Sequence, residues 1–268
     1  MTHAGLLAWY AGLLASAAAP HFSLAVSLRS GTAASHQNSL RTNLFAFSQD
    51  SPTAPAADEK TGDCLAIINK LRSENLKNLL GTLTEANDGE VTASLTTIDV
   101  TGADGLTAKK IASKLAGENV ETCDLGENAN AKTYPGLVIP FAPSTQVDCN
   151  ALIQATYTAG LDHLKQSNFD PSTGTYDATK APFDKVDASN VAFLLSAKST
   201  KVSCAATNNC SAGHNVLFCY FIEPLQTGEK PFTTELYNAL WGLETGSASI
   251  SVPSVATVLL VLALIIRT

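Results

Sequence analysis

Positive charge is in short supply in this chain. Seventeen lysines and arginines stand against 24 aspartates and glutamates, a net charge of −7 over 268 residues, so a nucleic-acid partner has no electrostatic footprint. Histidine is scarce, with five in all, and no C-x-x-C pair occurs, which leaves a metal cluster without its usual donors. The sequence contains no G-x-S-x-G, no H-E-x-x-H and no phosphate-cradling Gly loop, so the common hydrolase, zincin and nucleotide-binding signatures are missing. No catalytic residue, metal ligand or cofactor is assigned. His163, off the apolar stripe of its helix, is read as solvent-exposed, and His214, beside Gly213, as a turn residue. The acidic pair Asp58-Glu59 is read as a solvated loop.

The two long apolar runs lie at the ends. At the C-terminus, Gly246, Ser247, Ala248 and Ser249 lead through a Pro-containing stretch into the run from Val255 to Ile266, with only Arg267 and Thr268 beyond. A spanning helix needs about 20 apolar residues and usually a basic cytoplasmic flank. Small residues, a spacer and a terminal apolar tail are instead the layout of a glycosylphosphatidylinositol (GPI) signal, although the spacer falls short of the usual ~8–12 residues. Gly246 and Ser247 are the expected lipid-attachment residues, and the tail-anchored helix is the competing reading. At the N-terminus, Leu6 to Ala15 has the length of a signal-peptide core and Ala15-Ser16-Ala17 offers an A-x-A cleavage site, without a basic n-region. The alternative, a buried first helix, fits poorly with a run apolar on every side. The expected organisation is a signal peptide at 1–18, a linker or pro-segment at 19–57, a six-cysteine ectodomain at 58–245 and a removed GPI signal at 246–268.

Cys64, Cys123, Cys149, Cys204, Cys210 and Cys219 all lie between the two terminal signals. An even number of cysteines in a secreted chain reads as three disulfides. Around them, helices are expected at Cys64–Leu80 with Asp63 as N-cap and Gly81 as stop, at Ala108–Ala116 with Thr107 as cap, at Cys149–Gln166 with Asp148 as cap, and at Thr234–Leu243 with Thr233 as cap. On the first helix Cys64, Ile67, Ile68, Leu71 and Leu79 form the apolar stripe. Leu106 and Ile111 are placed to staple across the second helix's cap. The short β-prone runs Val191–Leu195, Lys201–Cys204 and Asn215–Ile222 read as an antiparallel sheet, with Gly136–Phe141 and Ser94–Val100 as further strand candidates. The stretch Phe169–Val186 is rich in Gly, Pro, Asp and Thr and reads as surface loop. Helices followed by an antiparallel sheet give an α+β class.

Two surface features complete the reading. Asn209-Cys210-Ser211 is formally an N-glycosylation sequon, with a cysteine in its middle position. Lys109, Lys110 and Lys114 give one helix a basic face, taken as a solvated face in preference to a sulfated-glycan contact.

The run from Phe193 to Ala205, then Cys210, then Leu217-Phe-Cys-Tyr-Phe-Ile-Glu-Pro224, resembles the C-terminal signature of the CAP superfamily of cysteine-rich secretory and pathogenesis-related proteins, and Asn69-Lys-Leu-Arg72 resembles that family's first-helix core. The whole plan, signal peptide, six-cysteine domain and GPI tail, resembles the surface antigens of Eimeria. These resemblances imply an α-β-α sandwich with about four helices and a small antiparallel sheet. They imply a Cys204–Cys219 bridge, and Cys210 reaching back to Cys64, Cys123 or Cys149. Ile68 stands where many CAP proteins carry a metal-binding His, so metal chemistry does not transfer. The implied function is a non-enzymatic, GPI-anchored parasite surface antigen on the outer leaflet of the plasma membrane, presented to host-cell proteins or glycans and to the immune system. The alternative is a CAP-like module that binds a sterol or fatty acid; a hydrolase is disfavoured by the missing constellation.

Overall fold

The computed structural model describes residues 53–76 and 78–242. Gly246, Ser247, both terminal signals and most of the linker segment lie outside the described residues. The chain enters as β1 (Ala57–Glu59), passes through α1 (Thr61–Ser73), β2 (Thr84–Glu85), α2 (Asp88–Thr97) and α3 (Ala108–Ala116), and makes a 3-10 turn at Gly126–Asn128. It continues through β3 (Leu137–Phe141), α4 (Cys149–Gln166), α5 (Val186–Leu194), β4 (Lys201–Thr207), β5 (Asn215–Phe221) and α6 (Thr234–Leu240). The described residues thus form six helices and five strands.

The sheet runs in the order β1-β4-β5-β3, with β2 lying parallel to the start of β4 and all other pairs antiparallel. Side chains alternate across a strand, and here both faces are covered. Val216, Phe218 and Tyr220 of β5 join Val138 and Ala205 beneath α2 and α3. Leu217, Cys219 and Phe221 join Leu137, Ile139, Val202 and Cys204 beneath α1, α4, α5 and α6. Every residue of β5 is buried, as a central strand between two helical layers requires. The architecture is an α-β-α sandwich.

Local chemistry explains most element ends. Asn87 and Glu90 form a reciprocal capping box at the start of α2. The side chains of Thr107, Asp148 and Thr233 accept from the third backbone N–H of α3, α4 and α6, and Leu106 and Ile111 are both buried in the same cluster.

Four expectations are corrected. First, α1 begins at Thr61, with Lys60 as the N-cap residue and Asp63 inside the first turn, and it ends at Ser73. Asn75 and Asn78 in the left-handed region turn the chain away well before Gly81, and Leu79, expected on the core stripe, is 42 % exposed. Second, Val191–Leu195 is not a strand but lies in and at the end of α5. Residues 188–194 are all buried, so no polar face marks the helical period, and an all-apolar run reads alike as strand or helix. Third, Ser94–Val100 falls largely in α2. There Thr96 and Thr97 return their hydroxyls to the carbonyls of Thr92 and Ala93, which accommodates β-branched residues in a helix. Fourth, Asp58 and Glu59 are not in a loop: they form the exposed outer strand β1, and Ala57 before them already pairs with Thr207.

Strand β3 is an edge, and two devices close it. Pro140 offers no N–H to an incoming strand. At Val138 the edge is filled by a side chain: Asn190 of α5 accepts from Val138 N at 2.8 Å and donates to Val138 O at 2.7 Å. Its amide also donates to Thr156 Oγ1 at 2.9 Å. Asn190 is 1 % exposed, so these bonds form away from water. Asn190→Ala orphans a buried N–H and a buried carbonyl and is expected to cost about 2–3 kcal/mol, read from thermal or denaturant melts. Asn190→Asp sets an acceptor against Val138 O. Burial raises such a carboxyl's folded pKa above its unfolded value, so the folded state binds more protons. The variant's stability is therefore expected to recover as pH falls through the folded pKa, a trend Asn190→Ala lacks.

Candidate functional surface

All six cysteines are bridged. Cys204–Cys219 joins neighbouring strands β4 and β5, the pair the resemblance implies, and Cys210 reaches back to Cys123. Cys64–Cys149 ties the first turn of α1 to the first turn of α4. The two Asp-Cys pairs, Asp63-Cys64 in the first turn of α1 and Asp148-Cys149 at the cap of α4, are therefore tied to each other. The sulfurs of Cys64, Cys204 and Cys219 lie within 4.8 Å of one another. This is the one group of three ligand-type side chains so close among the described residues, and each member is committed to a disulfide.

The Asn69-x-x-Arg72 motif is a structural clasp. Asn69 accepts from Leu83 N at 2.7 Å and donates to Leu83 O at 2.9 Å. Arg72, 1 % exposed, donates to Gly81 O, Leu194 O and Ser196 O at 3.1, 2.7 and 2.9 Å. Ile68, at the position of the missing histidine, is fully buried in the core. His163 is half-buried on α4. His214 sits in the turn after Gly213, with its Nδ1 buried and unpartnered among the described residues. Among the described residues, neither histidine belongs to a group of three or more His, Cys, Asp or Glu side chains close enough to share an ion.

The Phe169–Val186 stretch is only partly surface. Tyr176 and Phe183 are 3 % and 2 % exposed, and Phe169 meets the rings of Phe183, Phe232 and Tyr237. Tyr176 pairs its backbone with Glu229 and Gly228, its hydroxyl lies 2.8 Å from Ser189 Oγ, and burial pushes its pKa up to about 12. Between these anchors the exposed turns are tied locally. Asp170 accepts from Ser172 and Thr173, and Asp177 from Thr179. Bonds from the Thr179 hydroxyl, the Thr179 N–H and Lys180 hold Asp177 down to about 2. Lys230 Nζ fastens Ser172 O at 2.7 Å. The result is a pre-ordered loop with polar, exposed tips on an aromatic base, the form in which loops present binding surfaces.

Elsewhere the surface carries several hollows, among them one of about 680 Å³ beside α3 and one of about 590 Å³ between α2 and the turn after β5. Leu115, Ala129, Tyr134 and the 53 % exposed Leu125 give the first its apolar walls, and Lys114 and Glu118 its charged rim. The sequon asparagine, Asn209, is exposed, but its side-chain Oδ1 accepts from Ala56 N at 3.0 Å and the next residue is the bridged Cys210. Lys109, Lys110 and Lys114 are exposed on α3, with Lys110 Nζ donating to Gly105 O at 2.7 Å. No helix among the described residues is long and apolar enough to cross a membrane. Sequence reasoning missed the buried anchors of the loop, because an aromatic residue inside a Gly/Thr/Asp-rich stretch gives no periodic signal.

No protein-family model matches the sequence, and no curated protein matches it. Among solved structures, the chain is similar to the crystal structure of the Eimeria tenella surface antigen protein SAG19, with a TM-score of 0.69 and 70 % sequence identity over 72 % of this chain and 100 % of that one. Identity at that level across the whole of the other chain means a shared fold and shared descent, so this chain belongs to the family of the Eimeria tenella surface antigen SAG19.

Proposed function

We propose that the protein is a GPI-anchored, non-enzymatic surface antigen whose disulfide-stapled domain is held on the outer leaflet of the plasma membrane and meets host cells and antibodies through its exposed loops. The observation that carries this reading is the 70 % identity to a surface antigen. The GPI layout at Gly246 and Ser247 supports the anchor, and the ordered Asp170–Asp184 turns support the contact surface. Intact cells treated with phosphatidylinositol-specific phospholipase C are expected to release the protein, with the mature C-terminus at or next to Gly246 by mass spectrometry. A polypeptide that stays on the cell and reads through to Thr268 defeats the anchor. The released domain is expected to bind host cells saturably, and a flat binding curve before and after glycan removal defeats the adhesive role.

The hollow beside α3 favours a second reading, a small-molecule binding module in the CAP manner. That reading expects an extractable sterol or fatty acid in the purified protein, and an apolar-solvent extract with no such lipid ends it.

A further inference from the structure

We infer that the tip of α6, formed by Leu240 and Trp241, rests on the lipid surface beneath the domain and fixes its orientation there; the inference builds on the anchor proposed above. Trp241 and Leu240 are half-buried and pack against the main core from its edge. The Trp241 ring meets Tyr237 edge-on at 5.8 Å, and Tyr237 in turn meets Phe232 and Phe169 at 5.9 and 5.8 Å. The indole is therefore the outer end of an aromatic column rooted in the core, carried on a rigid base and leaving one side to its surroundings.

Tether length and charge argue for lipid as the occupant. Trp241 precedes Gly246 by five residues, and five extended residues span at most about 18 Å. The anchor joins Gly246 to its lipid through a glycan, so the tether leaves the domain from this end and keeps the tip on the side that faces the membrane. Between Glu235 and Glu244 the sequence carries no charged side chain, so nothing on this segment resists contact with an interface. Tryptophan, with an apolar body and one N–H donor, partitions to that zone. With a net charge of −7 the chain has no pull toward anionic lipid, so the matching surface is a zwitterionic one, held by apolar contact and by the tether.

The sequence contains two tryptophans, Trp9 and Trp241. Trp9→Phe makes Trp241 the sole tryptophan whatever becomes of the leader, and excitation at the red edge of the tryptophan band sets its emission apart from that of the six tyrosines. This full chain, purified with its own C-terminus, is reconstituted into phosphatidylcholine vesicles with plain or brominated acyl chains. Trp241 emission is expected to be blue-shifted in plain vesicles and quenched in brominated ones, and phospholipase C release is expected to reverse both effects. Leu240→Asp, checked for intact bridges, is expected to lose the quenching while anchored. Protein that phospholipase C releases but whose emission is the same before release, after release and with bromine overturns the docking and leaves the anchor standing. Protein that is not released and whose C-terminal peptide ends at Thr268 overturns the anchor and, with it, this inference.

Discussion

Replacing Cys64 and Cys149 together by alanine is expected to lower the unfolding free energy by about 4.5 kcal/mol, the chain-entropy value for so long a loop. That bridge spans 85 residues, whereas Cys204–Cys219 spans 15, and the matching double replacement there is expected to cost about 3 kcal/mol. For a domain of this size the first loss corresponds to a drop of about 13 °C in Tm, measurable by non-reducing thermal melts of the paired variants. The bridge has a further consequence. Cys64, Cys204 and Cys219 place their sulfurs within 4.8 Å of one another, so Cys149→Ala alone leaves a thiol beside an intact disulfide. The Cys64 thiolate can attack either sulfur of the Cys204–Cys219 bond, forming one new S–S bond and releasing the other cysteine as a thiolate. The single variant is therefore expected to yield a mixture of Cys64–Cys204 and Cys64–Cys219 isomers, whereas the double variant yields one species. Non-reducing peptide mapping distinguishes these outcomes, and a single variant that retains only Cys204–Cys219 refutes the exchange.

This close stacking of two bridges could not be read from the sequence, because pairing depends on how α1, α4 and the β4–β5 hairpin meet. What could be read were elements whose side chains report their own geometry. Thr107, Asp148 and Thr233 each mark a helix start because each caps it, and the buried runs of β4 and β5 alternate between two covered faces. The signal fails where context overrides pattern. Helix α5 is buried on every side, so its sequence carries no amphipathic period, and β1 and β2 have three and two residues, too few to show alternation. The candidate surface was legible in outline only: composition located the Phe169–Val186 loop, but not that Tyr176 and Phe183 turn inward to hold it. The Asn69-x-x-Arg72 motif was visible as a spacing, while its partners at Gly81, Leu83, Leu194 and Ser196 come from folding.

Arg72 is where that hidden context carries most weight. Its guanidinium is buried, with backbone carbonyls for partners and no ion pair to a carboxylate among the described residues, and desolvation pulls its pKa down to about 10. It remains charged at neutral pH, because the carbonyls it faces supply negative ends of dipoles. Leu194 O, at the C-terminal end of α5, adds the favourable end of a helix dipole. Through Gly81, Leu194 and Ser196 one side chain fixes the chain after α1 to the chain after α5. Arg72→Ala takes the donor from the carbonyls of Gly81, Leu194 and Ser196 and from the longer contact to Ser199 O at 3.5 Å, leaves a cavity between two segments, and is expected to cost about 4 kcal/mol or more, or about 12 °C in Tm. Arg72→Lys keeps the charge but reaches fewer carbonyls than the planar fork, so an intermediate loss of about 2–3 kcal/mol is expected. Arg72→Met keeps the length without a donor and should fall nearer alanine than lysine. That order, wild type above lysine above methionine and alanine, separates the hydrogen-bonding role from mere volume: a methionine variant as stable as wild type would show that Arg72 fills space and that its carbonyl contacts contribute no net stability.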